Sequence, residues 1–163
     1  MFESKAGILW VGGVGFFVLA FLSNALVPVL MYQHLPEKTA EEVVNPRVMY
    51  QFEDMSRKYP ESFKAAFGEP TEDACAEALR LGRQVYIGEG CWHCHSQFVR
   101  PVSNEDERWG PVSNSEEYQN ELQRPVLFGT RRVGPDLCRE GGRRSNDWHA
   151  VHFFQPDSVS QDS

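Results

Sequence analysis

From Ala6 to Tyr32 the chain runs through about 27 positions without one charged side chain. A helix needs about 20 apolar residues to cross the hydrocarbon core of a bilayer, so this run predicts a membrane-spanning helix. Trp10 and Tyr32 stand near its ends, where amphipathic rings favour the headgroup layer. A cleaved signal peptide is the alternative, but its apolar part spans only about 7 to 15 residues. The sole small-x-small cleavage pattern, Ser23-Asn24-Ala25, also lies inside the block. A retained anchor is the better account. Within the span, Gly12, Gly13 and Gly15 allow close backbone approach, and Asn24 carries an amide that hydrocarbon does not satisfy. Both features point to a partner membrane subunit rather than lipid alone.

With the apolar residues concentrated there, the remainder is polar and forms a water-exposed domain. Lys and Arg total 16 against 23 Asp and Glu, a formal charge of -7. That balance, with no basic cluster, argues against nucleic-acid binding. At 163 residues the chain accommodates one ordinary domain plus its anchor.

The polar part carries Cys91-Trp92-His93-Cys94-His95. Cys-x-x-Cys-His is the pattern by which a c-type haem is joined through two thioethers, the adjoining histidine becoming an axial iron ligand. Cys91 and Cys94 are therefore the expected covalent anchors of one haem c, and His95 its iron ligand. A thioredoxin-like dithiol would instead follow a strand, without the extra histidine. A tetrahedral zinc set of Cys91, Cys94, His149 and His152 is the other alternative, although the His-x-x-His gap is shorter than usual.

Orientation follows. Lys5 precedes the span while Glu37, Glu41 and Glu42 follow it, a weak positive-inside signature. Haem c is attached outside the bacterial inner membrane, so the motif places the domain in the periplasm more firmly. From Gln33 to Pro70, Pro36, Pro46, Pro60 and Pro70 punctuate the chain. Between them Val48, Phe52, Met55 and Tyr59, then Phe63 and Phe67, recur at helical spacing. Two short amphipathic helices in a semi-rigid stalk are expected, with Met49 and Met55 as packing residues. A longer helix is predicted over Glu72 to Ile87, with Cys75, Leu79, Gly82, Val85 and Tyr86 lining one side. The expected organisation is a cytoplasmic N-terminus over 1–5, an anchor over 6–32, a periplasmic stalk over 33–70 and a mono-haem domain, incomplete, over 71–163.

Several segments resemble known haem proteins. The Gly82 to Tyr86 spacing resembles the first helix of class I cytochromes c, implying close helix crossing at Gly82 and Tyr86 against the haem edge. Gly134-Pro135-Asp136-Leu137 resembles the class I segment whose proline carbonyl holds the axial imidazole. A metal-bound histidine generally needs such an acceptor, so the resemblance implies Pro135 as acceptor and Leu137 as a packing residue on the porphyrin. Gly90 to Pro101, Glu107-Arg108-Trp109-Gly110, Gly129 to Leu137 and Gly141-Gly142-Arg143-Arg144-Ser145-Asn146-Asp147-Trp148-His149 together resemble the mono-haem subunit of cbb3-type cytochrome c oxidases, over roughly Leu79 to Val159.

The resemblance implies a mainly α protein: one N-terminal transmembrane helix plus a periplasmic class I cytochrome c-like domain, lacking its terminal helix. It implies an electron relay without its own catalytic centre, receiving electrons from another cytochrome c and passing them to a haem-copper catalytic membrane subunit that reduces oxygen. Arg100, Arg131 and Arg132 become expected partners of haem propionates or neighbouring subunits. The mono-haem subunit of a nitric oxide reductase is the nearest rival, disfavoured by the Gly141–His149 stretch. A zinc-binding interaction module and a haem sensor are rivals of other classes.

The chain departs from the family at the sixth iron ligand. Similar subunits use a methionine in a Met-Pro pair, yet no methionine follows Cys94 here. A chain cut short before that pair is the favoured account; His149, His152 or an outside ligand are the alternatives. Cys75 and Cys138 are expected as small packing residues, with a disulfide between them as the alternative. Glu105, Glu107 and Arg108 either make a specific contact or form a solvated charged loop.

Overall fold

The computed structural model describes residues 4–131 and 133–158. The chain is mainly helical; among the described residues extended pairing is limited to an isolated bridge between Lys38 and Asn120. It divides into two compact units, one ending at Pro36 and one beginning at Glu37.

The first unit is a helical rod. Helix α1 (Ser4–Phe21) passes through a π-helical turn (Leu22–Leu26) into α2 (Val27–Tyr32). Lys5–Tyr32, 28 residues, is long and apolar enough to cross a membrane. Pro28 explains the π turn: it has no N–H to return to the preceding turn, and the widened turn just ahead absorbs the displacement. From this turn, Ser23 Oγ donates back to Leu19 O at 2.8 Å and Asn24 Nδ2 to Ala20 O at 3.0 Å. The Asn24 amide, expected at a contact with another helix, thus has a partner in its own helix.

The second unit is built around α6 (Glu72–Gly88). Thr71 starts it by accepting from Ala74 N at 3.2 Å, and Glu72 and Asp73 suit the positive end of the helix dipole. Before it come α3 (Ala40–Val43), α4 (Pro46–Lys58) and α5 (Pro60–Phe67). Asn45 Oδ1 accepts from Arg47 N and Val48 N to open α4, and Pro46 and Pro60 occupy first-turn positions where no N–H is missed. The apolar stripes of α4 and α5 meet α6 in one core: Phe52, Phe63 and Cys75 are buried, with Val48, Met49, Met55, Phe67 and Ala78 packed around them. The Phe52 and Phe63 ring centroids lie 4.7 Å apart. Residues expected as a stalk therefore contribute an aromatic layer to the same unit as α6, since their hydrophobic stripe is better covered than hydrated.

Beyond α6 the chain forms short pieces: a 3-10 turn (Cys91–His93), α7 (Glu105–Trp109), a 3-10 turn (Ser115–Tyr118), α8 (Asn146–Phe154) and a last 3-10 turn (Pro156–Ser158). A side chain at Gly82 would meet nothing within 4 Å, so the expected close crossing there is not found among the described residues.

Candidate functional site

Helix α6 delivers the motif and then stops. Gly90 takes a left-handed φ of 71°, a conformation glycine adopts without the steric cost of a Cβ, and turns the chain into the Cys91–His93 turn. His95 N and Cys94 N both donate to Cys91 O, at 3.0 and 3.1 Å, so the two thiols and the imidazole issue from one tight turn. Cys91 is half-buried and Cys94 exposed, and both are free thiols.

Residues 129–131 and 133–138 run against this turn. Arg131 N donates to His93 O, Gly134 N to Cys94 O and Leu137 N to Ser96 O, at 2.8 to 3.0 Å. This docking brings His95 Nδ1 to Pro135 O at 2.8 Å. A carbonyl only accepts, so Nδ1 carries the proton and Nε2 keeps the lone pair for a metal. Gly134 makes the approach feasible, because a Cβ there would overlap the His95 ring. Tyr86 adds a donor from α6, its hydroxyl reaching His95 O at 3.3 Å, and burial raises its phenol above the ordinary value.

Asp136, which the sequence did not single out as a site residue, is the clamp. It is fully buried and accepts from Ser96 Oγ at 2.6 Å, Phe98 N at 2.9 Å and, on its other oxygen, Cys138 N at 2.9 Å. One carboxylate thus ties the residues just after the motif to the Pro135 segment. Its position after Gly-Pro was the available signal, but burial of a carboxylate is invisible without the fold.

The remaining expected residues separate. Leu137 is half-buried beside the clamp. Arg100 N donates to Glu105 Oε2 at 2.8 Å and its guanidinium to Phe128 O at 3.3 Å. Glu105 is buried, so at that position the specific contact replaces the solvated loop. Arg131 is exposed, and Arg132 lies outside the described residues.

Helix α8 supplies an aromatic wall beside His95. Ser145 Oγ accepts from Trp148 N at 3.2 Å and starts the helix. Trp148 stacks on His152 with centroids 5.0 Å apart, and His152 meets the His95 ring edge-on at 6.1 Å. His149 instead lies against Trp148 and Phe153. Burial holds both His149 and His152 below the ordinary imidazole value, so they are neutral near neutral pH.

Among the described residues no three His, Cys, Asp or Glu side chains gather as a metal ion requires, which leaves the tetrahedral zinc alternative without a site. Cys75 sits in the aromatic core, whereas Cys138 accepts from Ser113 Oγ and lies 3.3 Å from Tyr118 Oη; both are free thiols in separate surroundings. The residues present do fit a haem c: two thiols on one turn, an imidazole fixed by its Nδ1–H, and a glycine that leaves room beside it.

A family model described as "Cytochrome C oxidase, mono-heme subunit/FixO" matches residues 74–163, more than half of the chain. No curated protein matches it.

Proposed function

The chain belongs to the FixO family, the mono-haem subunit of cytochrome c oxidase, and on that premise we propose that it relays electrons from another cytochrome c to a haem-copper catalytic subunit. Bound at this site, a haem c supplies a one-electron centre whose potential follows its ligands, their hydrogen bonds and its burial. Cys91 and Cys94 would hold it covalently, and His95 Nε2 would ligate the iron.

The observation that carries this reading is the 2.8 Å contact between His95 Nδ1 and Pro135 O, made from the same turn that bears both thiols. Donation from Nδ1 to a carbonyl fixes the tautomer, holds the ring plane and makes Nε2 a stronger donor to iron. Asp136 keeps the carbonyl in register by binding Ser96 and Phe98 on one side and Cys138 on the other. His152 is the histidine set against His95, which makes it the better placed of the two for any role at the iron. In this reading the apolar helix Lys5–Tyr32 anchors the chain in the bacterial inner membrane beside the oxidase, with the unit from Glu37 onward in the periplasm.

The test is chemical. Full-length chain matured with its oxidase partners should keep its pigment through acid extraction, show a peptide mass raised by one haem across 91–95, and co-purify with a haem-copper subunit. Unpigmented protein with both thiols unmodified overturns the reading.

A further inference from the structure

Helix α4 lies outside the matched residues 74–163, yet it grips the Gly141–Asp147 segment at four places. Arg47 Nη1 donates to Gly141 O at 3.1 Å and Gln51 Nε2 to Arg144 O at 3.3 Å. The half-buried Asn146 answers with one amide nitrogen shared between Gln51 O at 3.2 Å and Asp54 Oδ2 at 3.1 Å. Lys58 Nζ and Tyr59 Oη then close on Asp147 at 2.9 and 3.3 Å. Gly142 is shaped for this grip: its φ is +75°, and a Cβ there would overlap the Arg47 side chain.

We propose that α4 is a positioning element for the haem pocket, holding α8 so that Trp148 and His152 keep a fixed place beside His95. The proposal rests on the haem being bound at Cys91, Cys94 and His95. The path is continuous. Asn146 and Asp147 form the first turn of α8, Trp148 follows under the Arg144 guanidinium at 5.1 Å, His152 stacks on Trp148, and His152 meets the His95 ring. One turn of helix separates Trp148 from His152, so a rotation of α8 that releases Asn146 moves both rings against the imidazole. Ring placement beside an axial ligand alters its orientation and dielectric surroundings, and through them the iron's ligand field and potential.

Asn146 is the decisive position because its contacts are half-buried, whereas the Lys58–Asp147 pair is exposed and weakly coupled. Asn146→Asp replaces the shared donor with a carboxylate facing Asp54. Asn146→Asp combined with Asp54→Asn returns a donor–acceptor pair to that contact with the roles exchanged. The holo-complex carrying each is compared with its parent by haem content, reduction potential and the electron paramagnetic resonance g-values of the oxidised iron. The expected result is unchanged haem content with Asn146→Asp, a shift in g-values and potential, and reversal of at least half of that shift in the double variant. Gln51→Ala, which deletes one side-chain bond and leaves the aromatic core of α4 intact, shifts the g-values in the same direction by less, and serves if Asn146→Asp fails to accumulate. Lower thermal stability with g-values and potential superimposable on the parent overturns the proposal. A parent without covalent haem overturns the proposed function itself, and is seen before any variant is compared.

Discussion

Two walls meet at His95, and they are held by different kinds of bond. The Gly134–Cys138 wall is tied by main-chain bonds and by a fully buried carboxylate that accepts from three donors. The α8 wall hangs from residues of α4 and Tyr59 placed 88 to 95 positions earlier, mostly through exposed bonds. Buried bonds are costly to leave unmade, whereas exposed ones exchange readily with water. The first wall is therefore the firmer and fixes the His95 ring; the second is held by weaker bonds and places the rings beside it.

Removing the clamp tests the contrast hardest. Asp136→Ala leaves one hydroxyl and two main-chain N–H groups without their carboxylate, at about 1–3 kcal/mol for each unmet buried group, so a loss on the order of 3–9 kcal/mol is expected in denaturant unfolding. The same variant should mature little haem. Near-parental stability would mean that the first wall is not held as described.

Phe63→Ala removes a core ring of the α4–α5 layer, at about 3–5 kcal/mol by analogy with other buried aromatics. The Pro135 contact belongs to the other wall and should not register this loss. Matured protein should melt earlier while keeping covalent haem at parental stoichiometry; loss of haem would merge the two walls into one. Gly134→Ala strikes the first wall locally, where its Cβ would overlap His95. Overpacking of this sort costs about 1–3 kcal/mol, and the diagnostic result is a displaced imidazole, read as altered ligand-field bands at unchanged thioether content.

The smallest effect lies in the exposed ion pairs behind the α4 layer. Arg80 binds both Glu41 and Glu121, and its hydrogen bond holds the Glu41 carboxyl down at about 2 against an ordinary 4.5. Because the folded value is the lower one, the stabilisation is fully present above about pH 4.5 and disappears as pH falls through about 2. Thermal unfolding followed from pH 6 to pH 2 should lose part of its acid slope in Glu41→Gln. An unchanged slope would remove this pair from the account of acid sensitivity.

Much of the first wall was legible in the chain. The Cys91–His95 spacing puts two thiols and an imidazole on one turn, Gly134 and Pro135 carry their constraints in their covalent structure, and the apolar stripes of α4, α5 and α6 recur at the period of a helix. Asp136 was not legible, since nothing local distinguishes a buried clamp from an exposed turn carboxylate. The docking of 37–70 was hidden for a related reason: periodicity shows that a helix has an apolar face but not what covers it. The choice of His152 over His149 beside His95 depends on the rotation of α8, and α4 sets that rotation from outside the motif.

Neighbouring residues alone decided the helical anchor of 5–32, the helix starts at Asn45, Thr71 and Ser145, and the turn bearing both thiols, because these depend on bonds and sterics within a few positions of the chain. Folding decided the burial of Asp136, the room that Gly134 leaves for an imidazole, and the grip of α4 on α8. Those contacts join residues about 40 to 95 positions apart, and only close packing in three dimensions selects among the many partners each could have met.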